Sequence, residues 1–151
     1  MRISKFMAVA ASGAALVAAA TLPASAGTGQ HAVAGTHVFP STISPKTVHI
    51  GQTLTLKGHG AKRNKSYACL FIIIKGATYG YDIGTVKYIK STSTGTVTCR
   101  QRFKAYTAIA GGKVRHCPLK PADKAAGYHC GLAVATVDKT SATIGTFTGL
   151  R

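Results

Sequence analysis

Hydrophobic and polar positions alternate along most of this chain, and the alternation breaks down at residues 66–74. There Tyr, Ala, Cys, Leu, Phe and three Ile follow one another, with Arg63, Lys65 and Lys75 near the ends and Gly76 stopping the run. β-Branched and aromatic crowding with so early a stop reads as a strand buried on both faces rather than as a helix. A second apolar run, 130–137, reads as a strand as well. Elsewhere the period is two. Residues 52–57 put Leu54 and Leu56 on one face and the threonines with Lys57 on the other. Residues 96–104 put Val97, Cys99, Gln101 and Phe103 on one face and Thr98, Arg100, Arg102 and Lys104 on the other.

The weaker stretches fill in around these. Residues 36–43 alternate poorly and contain Pro40, which suits an edge strand. Residues 58–65 form a basic turn, 76–80 a loop, 81–90 one or two short strands and 91–95 a turn. Residues 105–112 are small and apolar, a loop or a helical turn; 114–117 are extended; 118–127 are a loop bearing Pro and Lys. Residues 142–150 close the chain as a last strand in which Gly145 permits a bulge. Short strands with frequent Gly, Pro and Ser punctuation predict an all-β sandwich of about seven strands.

The N-terminus stands apart. Arg2 and Lys5 precede an apolar stretch from Phe6 to Ala20, and Ala24-Ser25-Ala26 has the small residues of a cleavage site. Residues 1–26 therefore read as a signal peptide, 27–35 as a flexible lead-in and 36–151 as one domain, secreted and monomeric. Four cysteines in an exported chain imply two disulfides. Of the three possible pairings, pairing in chain order gives Cys69–Cys99 and Cys117–Cys130, and the inward-facing Cys99 can meet Cys69 from the opposite sheet.

Charge changes the picture more than chemistry does. The formal net charge is +16, with 19 Lys and Arg against Asp82, Asp123 and Asp138 and no Glu. Such a field attracts polyanions, whether DNA or an anionic envelope polymer. Three scattered aspartates and no Gly-x-Ser-x-Gly elbow argue against an enzyme. His116-Cys117 and His129-Cys130 offer zinc-type ligands, but neighbours on an extended chain point to opposite faces, so no metal site is expected. Lys75, Tyr79, Tyr81, Lys87 and Lys90 interleave aromatic and basic residues around one hairpin and form the candidate polyanion contact.

The spacing also carries a resemblance. Ile43-Ser-Pro, Gly51-Gln-Thr-Leu-Thr-Leu-Lys-Gly58, His59-Gly60, and then Tyr67 and Cys69 resemble the N-terminal half of neocarzinostatin-type apoproteins. Gly95-Thr-Val-Thr, Arg100-Gln-Arg-Phe103 and the Cys117…Cys130 pair continue in the same order. The resemblance implies an immunoglobulin-like seven-stranded sandwich that is a non-catalytic carrier. Its cargo would be an apolar, DNA-cleaving chromophore held non-covalently in a cleft, with no other cofactor. It places Phe71, Phe103, Tyr106, Gly131, Leu132 and Ala135 along that cleft. The chain departs from the family in being basic rather than acidic, in having no Trp, and in lacking a second Cys within ten residues of Cys69. The expectation is thus a secreted carrier of an apolar small molecule, antimicrobial and DNA-directed. The alternative is a ligand-free cationic protein of the cell envelope.

Overall fold

The computed structural model describes residues 37–151, so the expected leader and the lead-in at 27–35 lie outside the described residues. Its strands are β1 (His37–Val38), β2 (Ser41–Ser44), β3 (Thr47–His49), β4 (Thr53–His59), β5 (Ser66–Lys75) and β6 (Thr78–Tyr81). There follow β7 (Lys87–Lys90), β8 (Thr96–Arg102), β9 (Tyr106–Ala110), β10 (Lys113–Cys117), β11 (His129–Ala135) and β12 (Ser141–Leu150). A 3-10 turn (Ile83–Thr85) and one short helix, α1 (Pro121–Ala125), complete the list.

The unbroken apolar run becomes β5, and the larger sheet is built around it. β11 pairs antiparallel along one edge of β5 and β12 pairs with β11. The other edge is shared, β7 taking Ser66–Cys69 and β6 taking Ile72–Lys75. β1 and β3 add to β12 in parallel. The second layer is β2, β4 and β8 in the order β2-β4-β8. The alternation read in 52–57 and 96–104 holds: Leu54, Leu56, Val97, Cys99, Gln101 and Phe103 are buried, while Lys57, Thr98, Arg100 and Arg102 are exposed. The inward faces of both layers meet in one core with Phe39, Tyr67, Phe71, Phe103, Leu132 and Phe147. Each fully buried Phe or Leu side chain among them stabilises the fold by roughly 1.5–3 kcal/mol. Cys69–Cys99 ties β5 to β8 across the layers, and Cys117–Cys130 ties β10 to β11.

Four local expectations need correction. Residues 105–112 contain a strand, β9, paired with β10 into a hairpin. Tyr106, Ala108 and Ala110 face in and Thr107 and Ile109 face out, a period of two that small inward residues disguise. The 76–80 loop shortens to a turn because β6 starts at Thr78. The 118–127 loop contains α1, with Pro121 in its first turn where no amide donor is missed. Gly145 makes no bulge, since β11 and β12 stay in register from Cys130↔Phe147 to Ala135↔Ala142. A β-carbon there would lie 2.7 Å from Leu56 Cδ1 and 2.8 Å from Ile43 Cβ, so the glycine lets the two layers close.

Candidate functional site

The pleat of β5 decides where a ligand can go. Its residues point alternately to the two faces of the large sheet. Tyr67, Cys69, Phe71 and Ile73 enter the main core, whereas Ile72 and Ile74 form a separate cluster with Ala133, flanked by Leu70 and Ile144.

Four of the six residues expected along a cleft lie on the inner side and fill it. The Phe71 ring stacks on Tyr106 at 4.9 Å between centroids and meets Phe103 and Phe147 edge-on at 6.1 and 6.0 Å. Leu132, the cross-strand partner of Phe71, is fully buried. The β9–β10 hairpin lays Tyr106 over this cluster, and its hydroxyl donates to the Ile72 carbonyl at 2.6 Å. Burial pushes the Tyr106 phenol far above its ordinary value, so it stays neutral. Phe71, Phe103, Tyr106 and Leu132 are therefore packing residues of the interior. Gly131 and Ala135 pair with Ile72 and Ala68 and belong to the other face of the same sheet. The six residues expected along the cleft therefore divide between the two faces of the larger sheet.

That other face carries an open apolar groove of about 260 Å³. Its floor is Ala68, Leu70 and Ile72 of β5 with Ala135, Ala142 and Ile144. Tyr79, Tyr81 and Tyr88 form one wall, standing opposite Ile74, Ile72 and Ala68 across the β5 edge. Thr136, Val137 and Lys139 of the β11–β12 turn form the other. The tyrosine wall hangs on the middle of β5, where neither β6 nor β7 pairs. There Phe71 N donates to Thr85 Oγ1 at 3.0 Å and Asp82 N donates to the Phe71 carbonyl at 3.2 Å. Gln101, reaching across from β8, donates to the carbonyls of Cys69 and Thr85 at 3.0 and 2.8 Å. Sequence reasoning missed this groove, although the two-faced apolar run was its signal. A sheet whose second face is also apolar needs a cover.

The basic hairpin does not present one contact face. Tyr79 and Tyr81 line the groove. Lys90 pairs with Ser66 and Lys87 with Cys69, so the two lysines point to opposite sides. Lys75 Nζ sits 5.4 Å from the centroid of Tyr128, whose ring also carries the Arg115 guanidinium at 3.6 Å. A more uniform cationic surface lies on the outer face of the small sheet, not singled out above. There exposed Lys57, Arg100 and Arg102 stand among Thr42, Thr53 and Thr98.

The acids all serve local structure. Asp82 Oδ1 accepts from Gly84 N at 2.9 Å, and Asp123 pairs with Arg115. Asp138 Oδ1 accepts from the Thr140 amide and hydroxyl. Hydrogen bonds from Thr136 and Thr140 hold the Asp138 carboxyl down at about 2. His116 and His129 are exposed beside cysteines already joined to each other, and no cluster of three metal-ligating side chains occurs among the described residues.

What these elements define is a two-layer, disulfide-tied β-sandwich with an apolar groove on the outside of its larger sheet. The fold is similar to that of macromomycin, with a TM-score of 0.57 at 16% identity over 74% of this chain and 98% of that one. The solution conformation of apokedarcidin aligns with a TM-score of 0.46 at 17% identity, over 75% of this chain and 98% of that one. At such identities the likeness to macromomycin establishes the fold. No family model and no curated protein matches the sequence.

Proposed function

We propose that this chain is an exported, non-catalytic carrier that holds an apolar small molecule in the groove of its larger sheet. The observation that carries the reading is the groove itself, an aliphatic floor under three tyrosines on a sheet already packed on its inner face. Such a surface gains by exchanging water for a ligand, and aromatic walls with few polar groups are the usual lining of small-molecule sites. The sequence resemblance to neocarzinostatin-type apoproteins and the fold shared with macromomycin support the same reading. Two disulfides suit an oxidising compartment, as the leader-like N-terminus does.

The test is titration of the secreted protein with the neutral dye N-phenyl-1-naphthylamine. Tyr81→Ala, which removes one wall, should weaken dye binding by about tenfold while the thermal unfolding curve stays in place. Native mass spectrometry of the same preparation reads any co-purifying molecule directly. A wild-type protein that takes up no dye overturns the reading, and so does a Tyr81→Ala protein that binds it as well as wild type.

A second property rests on Lys57, Arg100 and Arg102, exposed together on the small sheet of a chain with net charge +16. This face supports contact with a polyanion, DNA or an anionic envelope polymer, independently of the groove.

A further inference from the structure

The groove does not end at the β11–β12 turn. Thr136 and Val137 line it on one side and, on the other, line a second depression of about 490 Å³. That hollow is completed by Lys62, Lys65, Ser66 and Asp138. An aliphatic and aromatic groove thus runs into a basic hollow, with only the Thr136–Val137 step between them.

The charges around the hollow are unequal. Lys62 Nζ is held at its rim by donating to Thr140 Oγ1 at 2.7 Å. Lys90 stands opposite Ser66 on the same face of the sheet, and Lys139 lines the adjoining groove. Against these stands Asp138, whose Oδ1 is occupied by the Thr140 amide and hydroxyl at 3.0 and 2.8 Å. Within the hollow itself two ammonium groups, those of Lys62 and Lys65, stand against one carboxylate already committed to its own turn.

The geometry points to an amphiphilic anion as the ligand: a free small molecule with its apolar body in the groove between Tyr81 and Ile144 and its carboxylate, sulfonate or phosphate head in the hollow of Lys62 and Lys65. This inference rests on the carrier reading above and narrows it. A neutral ligand would use only the groove, whereas an anionic one also exchanges solvated lysine counterions for a fixed head group. The groove is walled on both sides, so it admits a single molecule rather than the surface of a bilayer.

Two dyes with nearly the same aromatic body separate the claims: neutral N-phenyl-1-naphthylamine and 1-anilinonaphthalene-8-sulfonate. The sulfonate should bind the wild-type protein at least tenfold more tightly. The double variant Lys62→Ala/Lys65→Ala should lose about tenfold in sulfonate affinity and change neutral-dye affinity by less than twofold. Lys57→Ala/Arg100→Ala removes the same two charges from the far sheet and should leave both affinities unchanged. Equal affinity for the two dyes overturns the anionic head while leaving the carrier reading intact, and binding of neither overturns both. A sulfonate loss as large in Lys57→Ala/Arg100→Ala as in Lys62→Ala/Lys65→Ala makes the effect general charge attraction and overturns the site. Phosphatidylglycerol vesicles should fail to displace the bound sulfonate dye; displacement by them overturns the free ligand in favour of a membrane.

Discussion

The two sheets obey the same rule on their inner faces and opposite rules on their outer ones. β4 and β8 alternate strictly, so the outside of the small sheet is Thr, Lys and Arg. β5 and β11 are apolar on both sides, so the outside of the large sheet is Ala, Leu and Ile beneath tyrosines. A half-buried antiparallel sheet is finished once its core face is packed. A sheet that is apolar on both faces remains open to a further partner, and here the β6–β7 wall covers only part of the second face. The difference between the sheets is thus a difference between a face that presents charge and a face that presents apolar area.

The largest expected effect tests whether the two faces of β5 are separate. Phe71→Ala empties the inner aromatic cluster and should cost roughly 3–5 kcal/mol in urea unfolding. Tyr81→Ala, on the outer side, should stay within about 1 kcal/mol of wild type and lose dye instead. A stable Phe71→Ala protein that has lost dye binding would return the cleft to the interior and erase the distinction. Next comes Gln101→Ala, which strips the donor from two carbonyls, one of them on the 3-10 turn under the tyrosine wall. Unsatisfied buried acceptors cost roughly 1–3 kcal/mol, and amide exchange at Phe71 should rise along with the loss of stability. Unchanged exchange there would mean that the small sheet does not support the groove wall.

The charged face is sharpened by salt. Neutralising Lys57, Arg100 and Arg102 together should lower the log–log salt slope for duplex DNA by up to about three. Neutralising Lys87 and Lys90 should lower it by about one at most, because they point to opposite sides. The reverse ranking would restore the hairpin as the contact surface. The smallest effect belongs to Asp138. Its folded-state pKa lies below the ordinary carboxylate value, so its contribution is complete above about pH 4 and is lost as pH falls through about 2. Asp138→Asn should flatten acid unfolding in that window and nowhere else. An unchanged acid limb would show that the Thr136 and Thr140 bonds do not hold the turn.

Much of the fold was legible because alternation is a local signal. The strands at 52–57 and 96–104 and the inward Cys99 follow from which residues repeat every second position, the strand at 66–74 from its unbroken apolar, β-branched run, and the cysteine pairing from chain order. β9 escaped because Ala108 and Ala110 bury little surface, and a strand with small inward residues looks like a loop. Gly145 escaped for another reason: close approach of two layers is a property of their packing, and the sequence carries only the glycine. The site was half legible. The run at 66–74 predicts an apolar second face, but the family resemblance places Phe71 along a cleft, whereas it is Ile72, one position on, that points outward. Lys62 and Lys65 read only as residues of the basic turn at 58–65, because nothing local in the sequence brings them to the 136–138 turn.

The division of β5 between two faces also has a consequence for descent. Ala68, Leu70, Ala135, Ala142 and Ile144 touch the groove and lie outside the main interior cluster. Exchanging them alters what fits in the groove while Phe71, Ile73 and Leu132 go on holding the layers together. On the carrier reading proposed above, a lineage built on this plan would change its cargo without first rebuilding its scaffold, the two sets of positions drifting at different rates.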